Sequence, residues 1–187
     1  MPLAAAPPGL SIKGRALRYL AQREHSRAEL ERKLRRVLSR RAPRNDGRDE
    51  PGDEGDGDIG DIGDIEVAAP SLAQQIAAVL DELTTKGFLS DERAAAQLLS
   101  SKASRFGVNR LRREMQLKGL DAGLIAATLA QAKDGELAHA REVWRRKFGQ
   151  LPPDAKSYGK QQRFLAARGF SGELIRRILR EPDSDKA

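Results

Sequence analysis

Residues 121–129, DAGLIAATL, and 171–179, SGELIRRIL, carry one pattern at a constant offset of 50. Each opens on a helix-capping residue and then spaces apolar side chains three and four apart, as one buried helical face requires. Each also follows the same stop. Lys118-Gly119-Leu120-Asp121 and Arg168-Gly169-Phe170-Ser171 set a cation against a helix C-terminus, a glycine where the chain turns left-handed, and an apolar residue that folds back. Lys86-Gly87-Phe88-Leu89-Ser90 has the same grammar, and Ile76, Val79 and Leu80 echo Ile125, Thr128 and Leu129. Arg105-Phe106-Gly107 and Lys147-Phe148-Gly149 end the preceding helices alike. Units of this kind bury their faces partly against one another. The expected fold is therefore all-α, with three tandem three-helix repeats forming an elongated, curved array. The repeats are placed at 12–89, 90–133 and 134–181.

The first repeat supports this by its own period. Ile12, Ala16, Leu17, Leu20 and Ala21 form one stripe over residues 12–23. Ser26-Arg27-Ala28-Glu29 reads as a capping box, in which the serine takes the Glu29 amide and the glutamate reaches back. The helix it starts should bury Leu30, Leu34, Val37 and Leu38, with Glu29–Lys33 and Glu31–Arg35 pairs on its outer face. A third helix should turn Ile76, Val79, Leu80 and Leu83 inward. Aromatic and β-branched residues are too sparse for a competing strand pattern.

Charge is unevenly spread. Residues 46–66 hold ten Asp and Glu and one Arg, while the rest of the chain carries 33 Lys and Arg against 17 Asp and Glu, a net of +16. A body this basic favours nucleic acid or acidic protein surfaces. The acidic stretch, within an insert at about 40–70, contains Gly55-Asp56-Gly57-Asp58-Ile59-Gly60, a literal dinucleotide fingerprint. No strand precedes it, no helix follows closely, and its aspartates repel a pyrophosphate. As a calcium loop it has Asp61 where glycine is required and Val67 where the closing glutamate belongs. A stretch so rich in Gly and Asp is expected to be disordered, shielding the basic faces from non-specific DNA. Its deletion is then expected to tighten such binding.

Catalysis has little to build on. His25 and His139 are isolated, which suits helix-end or surface positions, and no hydrolase, P-loop or metalloprotease signature is present. Cysteine is absent, which removes disulfides and thiolate metal sites. No enzyme activity, cofactor or metal is expected. No apolar run approaches the ~18 residues of a spanning helix, and MPLAAAPPGL lacks a basic leader. The expectation is a cytoplasmic monomer without membrane contact.

The basic clusters carry what function the residues suggest. Any single cluster reads most simply as a solvated face. Together they outweigh that reading, above all in residues 102–120, where Glu114 is the sole acid. The candidates are Arg105, Arg110, Arg112, Arg113, Lys118, Arg145, Arg146, Lys147, Lys160, Arg163 and Arg168. Trp144 suits a core better than a base-stacking platform, and aromatics are few. Contact with nucleic acid should therefore run through phosphates and be weak and non-specific.

Several segments resemble the RecX family, regulatory proteins of the bacterial RecA recombinase. They are ALRYLAxREHSRAELxxKL at 16–34, LxELxxKGFL at 80–89 followed by Arg93-Ala94, GxxRLxxEMxxKG at 107–119, and QxRFLxxRGFS at 161–171. The resemblance covers nearly all of the chain except the first dozen residues and 39–70. It implies three tandem three-helix repeats and a non-enzymatic role. Such proteins bind RecA and the RecA–DNA filament, lie in its helical groove, and limit filament growth, ATP hydrolysis and strand exchange in recombination and repair. The alternative from the residues alone is a stand-alone basic helical DNA-binding protein.

Overall fold

A computed structural model describes residues 10–39 and 70–180; the acidic stretch 46–66 lies outside the described residues. Eight helices and no strand are found among them: α1 (Ile12–Leu20), α2 (Arg27–Ser39), α3 (Leu72–Thr85), α4 (Asp91–Lys102), α5 (Val108–Leu117), α6 (Ala122–Lys147), α7 (Ala155–Ala167) and α8 (Gly172–Arg180). They enclose three separate apolar cores. Ala16, Leu30, Leu34, Ile76, Leu80, Leu83 and Leu89 form the first, with Leu38 and Val79 packed on it. The second is built on Leu98, Leu111, Met115, Leu120, Ile125 and Leu129. The third gathers Trp144, Leu165, Phe170, Ile175, Ile178 and Leu179. Close helix–helix packing lies inside these units.

The stops behave alike at the backbone. At each, the glycine amide and the amide after it turn back to the helix. Gly119 donates to Gln116 at 2.9 Å and Leu120 to Met115 at 3.2 Å; Gly169 donates to Ala166 at 2.9 Å and Phe170 to Leu165 at 3.3 Å. Gly87, Gly119 and Gly169 all have positive φ, the conformation that favours glycine. The apolar half of the motif differs. Leu120 and Phe170 are buried, whereas Phe88 is 54 % exposed and Leu89 fills the first core in its place.

Other sequence expectations are redirected by tertiary contacts. Ser26 does accept the Glu29 amide at 3.2 Å, but the Glu29 carboxylate turns to Arg23 and Lys118 instead of closing the box. Lys33, expected on Glu29, meets His25 Nε2 at 2.8 Å. His25 stands at a helix end, just before the Ser26 cap of α2, but is buried at 1 % exposure and not at the surface. Glu31–Arg35 pairs as expected at 2.6 Å. Gly107 and Gly149 look equivalent in sequence but differ in backbone: Gly149 has φ +67°, whereas Gly107 is extended at φ −76°.

The longest described helix is α6. The chain runs helical for 26 residues through Asp134-Gly135, so the repeat boundary expected at 133/134 falls inside one continuous helix. A helix-interior glycine costs about 1 kcal/mol relative to alanine. That cost is offset in part because the middle of α6 is used: Glu136 Oε1 accepts the Val108 amide at 2.8 Å, capping α5, whose N-cap Gly107 has no side chain to do it.

Candidate functional site

The units join through backbone ends. The N-terminus of α2 sits on the stop of α5, where Ser26 Oγ donates to the Lys118 carbonyl at 2.5 Å and Arg32 Nη2 to the Leu117 carbonyl at 2.6 Å. The N-terminus of α5 sits on the stop of α7: Gly107 donates to the Arg168 carbonyl at 2.9 Å and Asn109 to the Gly169 carbonyl at 3.3 Å. At the second seam amides at the start of α5 thus meet the carbonyls that end α7, while at the first the carbonyls that end α5 are met by side-chain donors of α2. Room for this comes from glycine. A Cβ on Gly107 would lie 2.5 Å from the Gly169 oxygen, and one on Gly119 would lie 2.6 Å from Ala28 Cβ.

These seams sort the candidate cations. Lys118 is withdrawn from any outer surface by its 2.7 Å pair with Glu29, both side chains being at most a quarter exposed. Burial alone would raise the Glu29 pKa, but hydrogen bonds from Arg23 and Lys118 overcome it and hold the carboxyl at about 2. Arg110 is drawn into the second seam, donating to the Ala167 carbonyl at 3.2 Å with its guanidinium 4.2 Å from the Phe106 ring centroid. It lines a groove of about 500 Å³ with Arg113, Leu117, Ala166 and Ala167.

Four others converge elsewhere. Arg105 from the turn after α4, Arg146 and Lys147 from the end of α6, and Arg168 from the α7 stop line one groove with Val143 and Phe164, about 240 Å³ in volume. Those described lining residues include no carboxylate. Arg168 lies flat on Phe164, 3.7 Å from guanidinium carbon to ring centroid, and Phe148 meets the same ring edge-on at 5.1 Å. Arg146 is partly occupied by Glu142 at 2.6 Å. The groove lies where α6 ends its last, basic turn, so the negative helix end helps to hold the cations together. Chemically it suits an anion that spans several ångströms: phosphates along a backbone, or clustered carboxylates.

The remaining candidates stay apart. Arg112 reaches Asn109 at 3.3 Å, Arg145 reaches Glu142 at 3.5 Å, Lys160 lines a small cleft beside Gln150 and Pro153, and Arg163 is exposed. Trp144 is core, donating to Gln161 Oε1 at 2.6 Å. Sequence reasoning missed the polar cluster of Arg23, Glu24, His25 and Arg93 at the first seam; only the density of charge around an isolated histidine hinted at it. No group of ligating side chains suited to a metal ion is found among the described residues, and no described helix is long and apolar enough to cross a membrane.

Comparison with known proteins agrees with this architecture. The family model for the third three-helix domain of RecX matches residues 134–179, and that for the second matches 90–129. Regulatory protein RecX of Leptothrix cholodnii is 43 % identical over 98 % of this chain and 96 % of its own. That of Chromobacterium violaceum is 39 % identical over 93 % and 92 %. The crystal structure of RecX from Lactobacillus salivarius superimposes with a TM-score of 0.62 over 91 % of this chain and 93 % of that one, at 17 % identity, which speaks for the fold. Sharing that fold and nearly full-length sequence identity with regulators of this name, the chain belongs to the RecX family.

Proposed function

We propose that this protein is a non-catalytic regulator that binds RecA and its filament on DNA and limits filament growth, ATP hydrolysis and strand exchange. In this reading the repeats 12–89, 90–133 and 134–181 act as one curved array lying along the filament. The observation that supports it most is the groove of Arg105, Arg146, Lys147 and Arg168. Four cations from three separate segments face one space, and such a surface attracts phosphates or an acidic protein face without reading base sequence. Contact with DNA alone is then weak and non-specific, and the filament is held by the protein and nucleic-acid surfaces together.

The test is kinetic. Adding the protein in substoichiometric amounts to RecA filaments already assembled on single-stranded DNA should progressively lower ATP hydrolysis. Hydrolysis that stays unchanged at excess protein contradicts the proposal. Sequence-selective retention of duplex DNA without any effect on RecA would instead place the protein among stand-alone DNA binders.

A further inference from the structure

The two seams are built differently. Across the second, α6 runs unbroken from the second core into the third. Across the first, the chain passes through the turn after α3, and neither adjoining apolar core includes a buried residue from the other unit. What seats the first unit on the second is largely polar: a row of contacts along residues 23–27, with Glu29 and Arg32 adding to it. The Glu24 amide donates to Gln97 Oε1 at 3.1 Å, Arg93 Nε to Glu24 Oε1 at 2.8 Å, the Arg27 amide to Asp91 Oδ1 at 2.8 Å, and Ser26 Oγ to the Lys118 carbonyl. A cleft of about 430 Å³, lined in part by Arg23, Glu29, Gln97 and Lys118, opens beside this row. A helix shared by two cores ties them together, whereas a seam made of hydrogen bonds beside a cleft opens more readily.

At the centre of the row is His25. Its Nδ1 lies 2.9 Å from the Arg23 carbonyl and its Nε2 lies 2.8 Å from Lys33 Nζ. Only the neutral ring with its proton on Nδ1 satisfies both, because Nε2 must accept from the ammonium. The groups facing it are Tyr19 from α1, at 6.1 Å between ring centroids, Arg23 from the loop, and Glu29 and Lys33 from α2; Lys118 reaches Glu29 from the second unit.

We propose that the first unit is a hinged arm on the second, seated by residues 23–27 while His25 is neutral and released when it takes a proton. Protonation removes the acceptor for Lys33 and sets two cations against each other, with Arg23 beside them. Glu24 and Ser26, on either side of His25, are bonded to the second unit, so movement of the ring away from Lys33 loosens that seat. Burial, then the charges of Arg23 and Lys33, press the His25 pKa below its ordinary 6.5, against its backbone bond to Arg23 and the charge of Glu29. The seat is therefore fully held above about pH 6.5 and is lost as pH falls through the lowered value. Glu29, at about 2, stays ionised through that window, so the change belongs to His25. This motion is a property of the array and does not depend on the RecA reading.

With no cysteine in the chain, paired labels go in cleanly. Spin labels at Arg36→Cys on α2 and Ala127→Cys on α6, both exposed, should give one narrow distance at pH 7.5. A second, broader population should grow as pH falls below 6.5, the ordinary histidine value, with the seated-to-open ratio dropping up to about tenfold per pH unit. His25→Gln keeps a donor and an acceptor but cannot titrate, so it should hold the narrow distance down to pH 5. Glu29→Gln should broaden it already at pH 7.5. A control pair within the first unit, Arg18→Cys with Arg36→Cys, should stay narrow throughout. A distance between units that does not move with pH, a His25→Gln variant that opens like the parent, or broadening of the control pair would each overturn the hinge.

Discussion

Gly169 and Gly87 stand in the same motif with nearly the same backbone, yet their surroundings differ. A Cβ on Gly169 (φ +87°) would lie 2.5 Å from the Arg110 amide nitrogen, whereas one on Gly87 (φ +73°) would meet nothing within 4 Å. Gly87→Ala should therefore cost only the left-handed penalty, about 1–2 kcal/mol. Gly169→Ala should cost that plus displacement of the second seam, about 3–4 kcal/mol in all. Urea unfolding of the two variants checks this, and equal losses would mean that the α5–α7 seam yields easily. The same pair shows what single residues disclose. The sequence signals a left-handed glycine at each stop, because a cation, a glycine and an apolar residue coincide there. It says nothing of a second role, which depends on Arg110 arriving from another unit. Gly107 is the converse case: it looks like a stop, but it is extended and small because the Gly169 carbonyl passes beside it.

At the scale of elements, local chemistry was legible where partners are near in sequence and hidden where they are not. Ser71 and Gln74 form a complete capping box, the serine accepting at 3.3 Å and the glutamine at 2.7 Å, three positions apart and readable in principle. Ser26 and Glu29 have the stronger box sequence but form half of it, because Lys118, 92 positions from Ser26 in the chain, takes both side chains into the seam. The repeat boundary expected at 133/134 falls beside Asp134-Gly135, yet α6 continues through it, and Glu136 there caps α5. Two substitutions separate these effects. Glu136→Ala should lose a cap worth about 0.5–2 kcal/mol. Gly135→Ala should gain up to about 1 kcal/mol and raise the melting temperature by a few degrees, since its nearest obstacle is the movable His139 ring at 3.3 Å. A loss of stability in Gly135→Ala would mean that α6 bends there in solution.

At the scale of the molecule, the described chain has three cores, the second and third joined by the continuous α6 and the first and second by polar contacts. Its all-helical repeat character was readable from the fifty-residue offset, because stops and buried stripes recur within each unit. The candidate surface was only half readable. Charge density picked out the basic residues, including all four that line the groove. It could not separate Lys118, neutralised by Glu29, from Lys147, because ion pairing across units leaves no mark on local composition.

The groove carries the central claim, and reversing its charge tests it most directly. ATP hydrolysis by RecA filaments preassembled on single-stranded DNA is followed while the protein is titrated in, as parent, as Arg105→Glu/Lys147→Glu, and as Arg18→Glu on the exposed side of α1. Both altered side chains of the double variant are exposed, so the fold should be retained, as far-ultraviolet circular dichroism would verify. The account predicts that the parent and Arg18→Glu lower hydrolysis at the same concentration, while the double variant needs at least about tenfold more. A double variant that inhibits as well as the parent would contradict the assignment of this groove as the filament-binding surface.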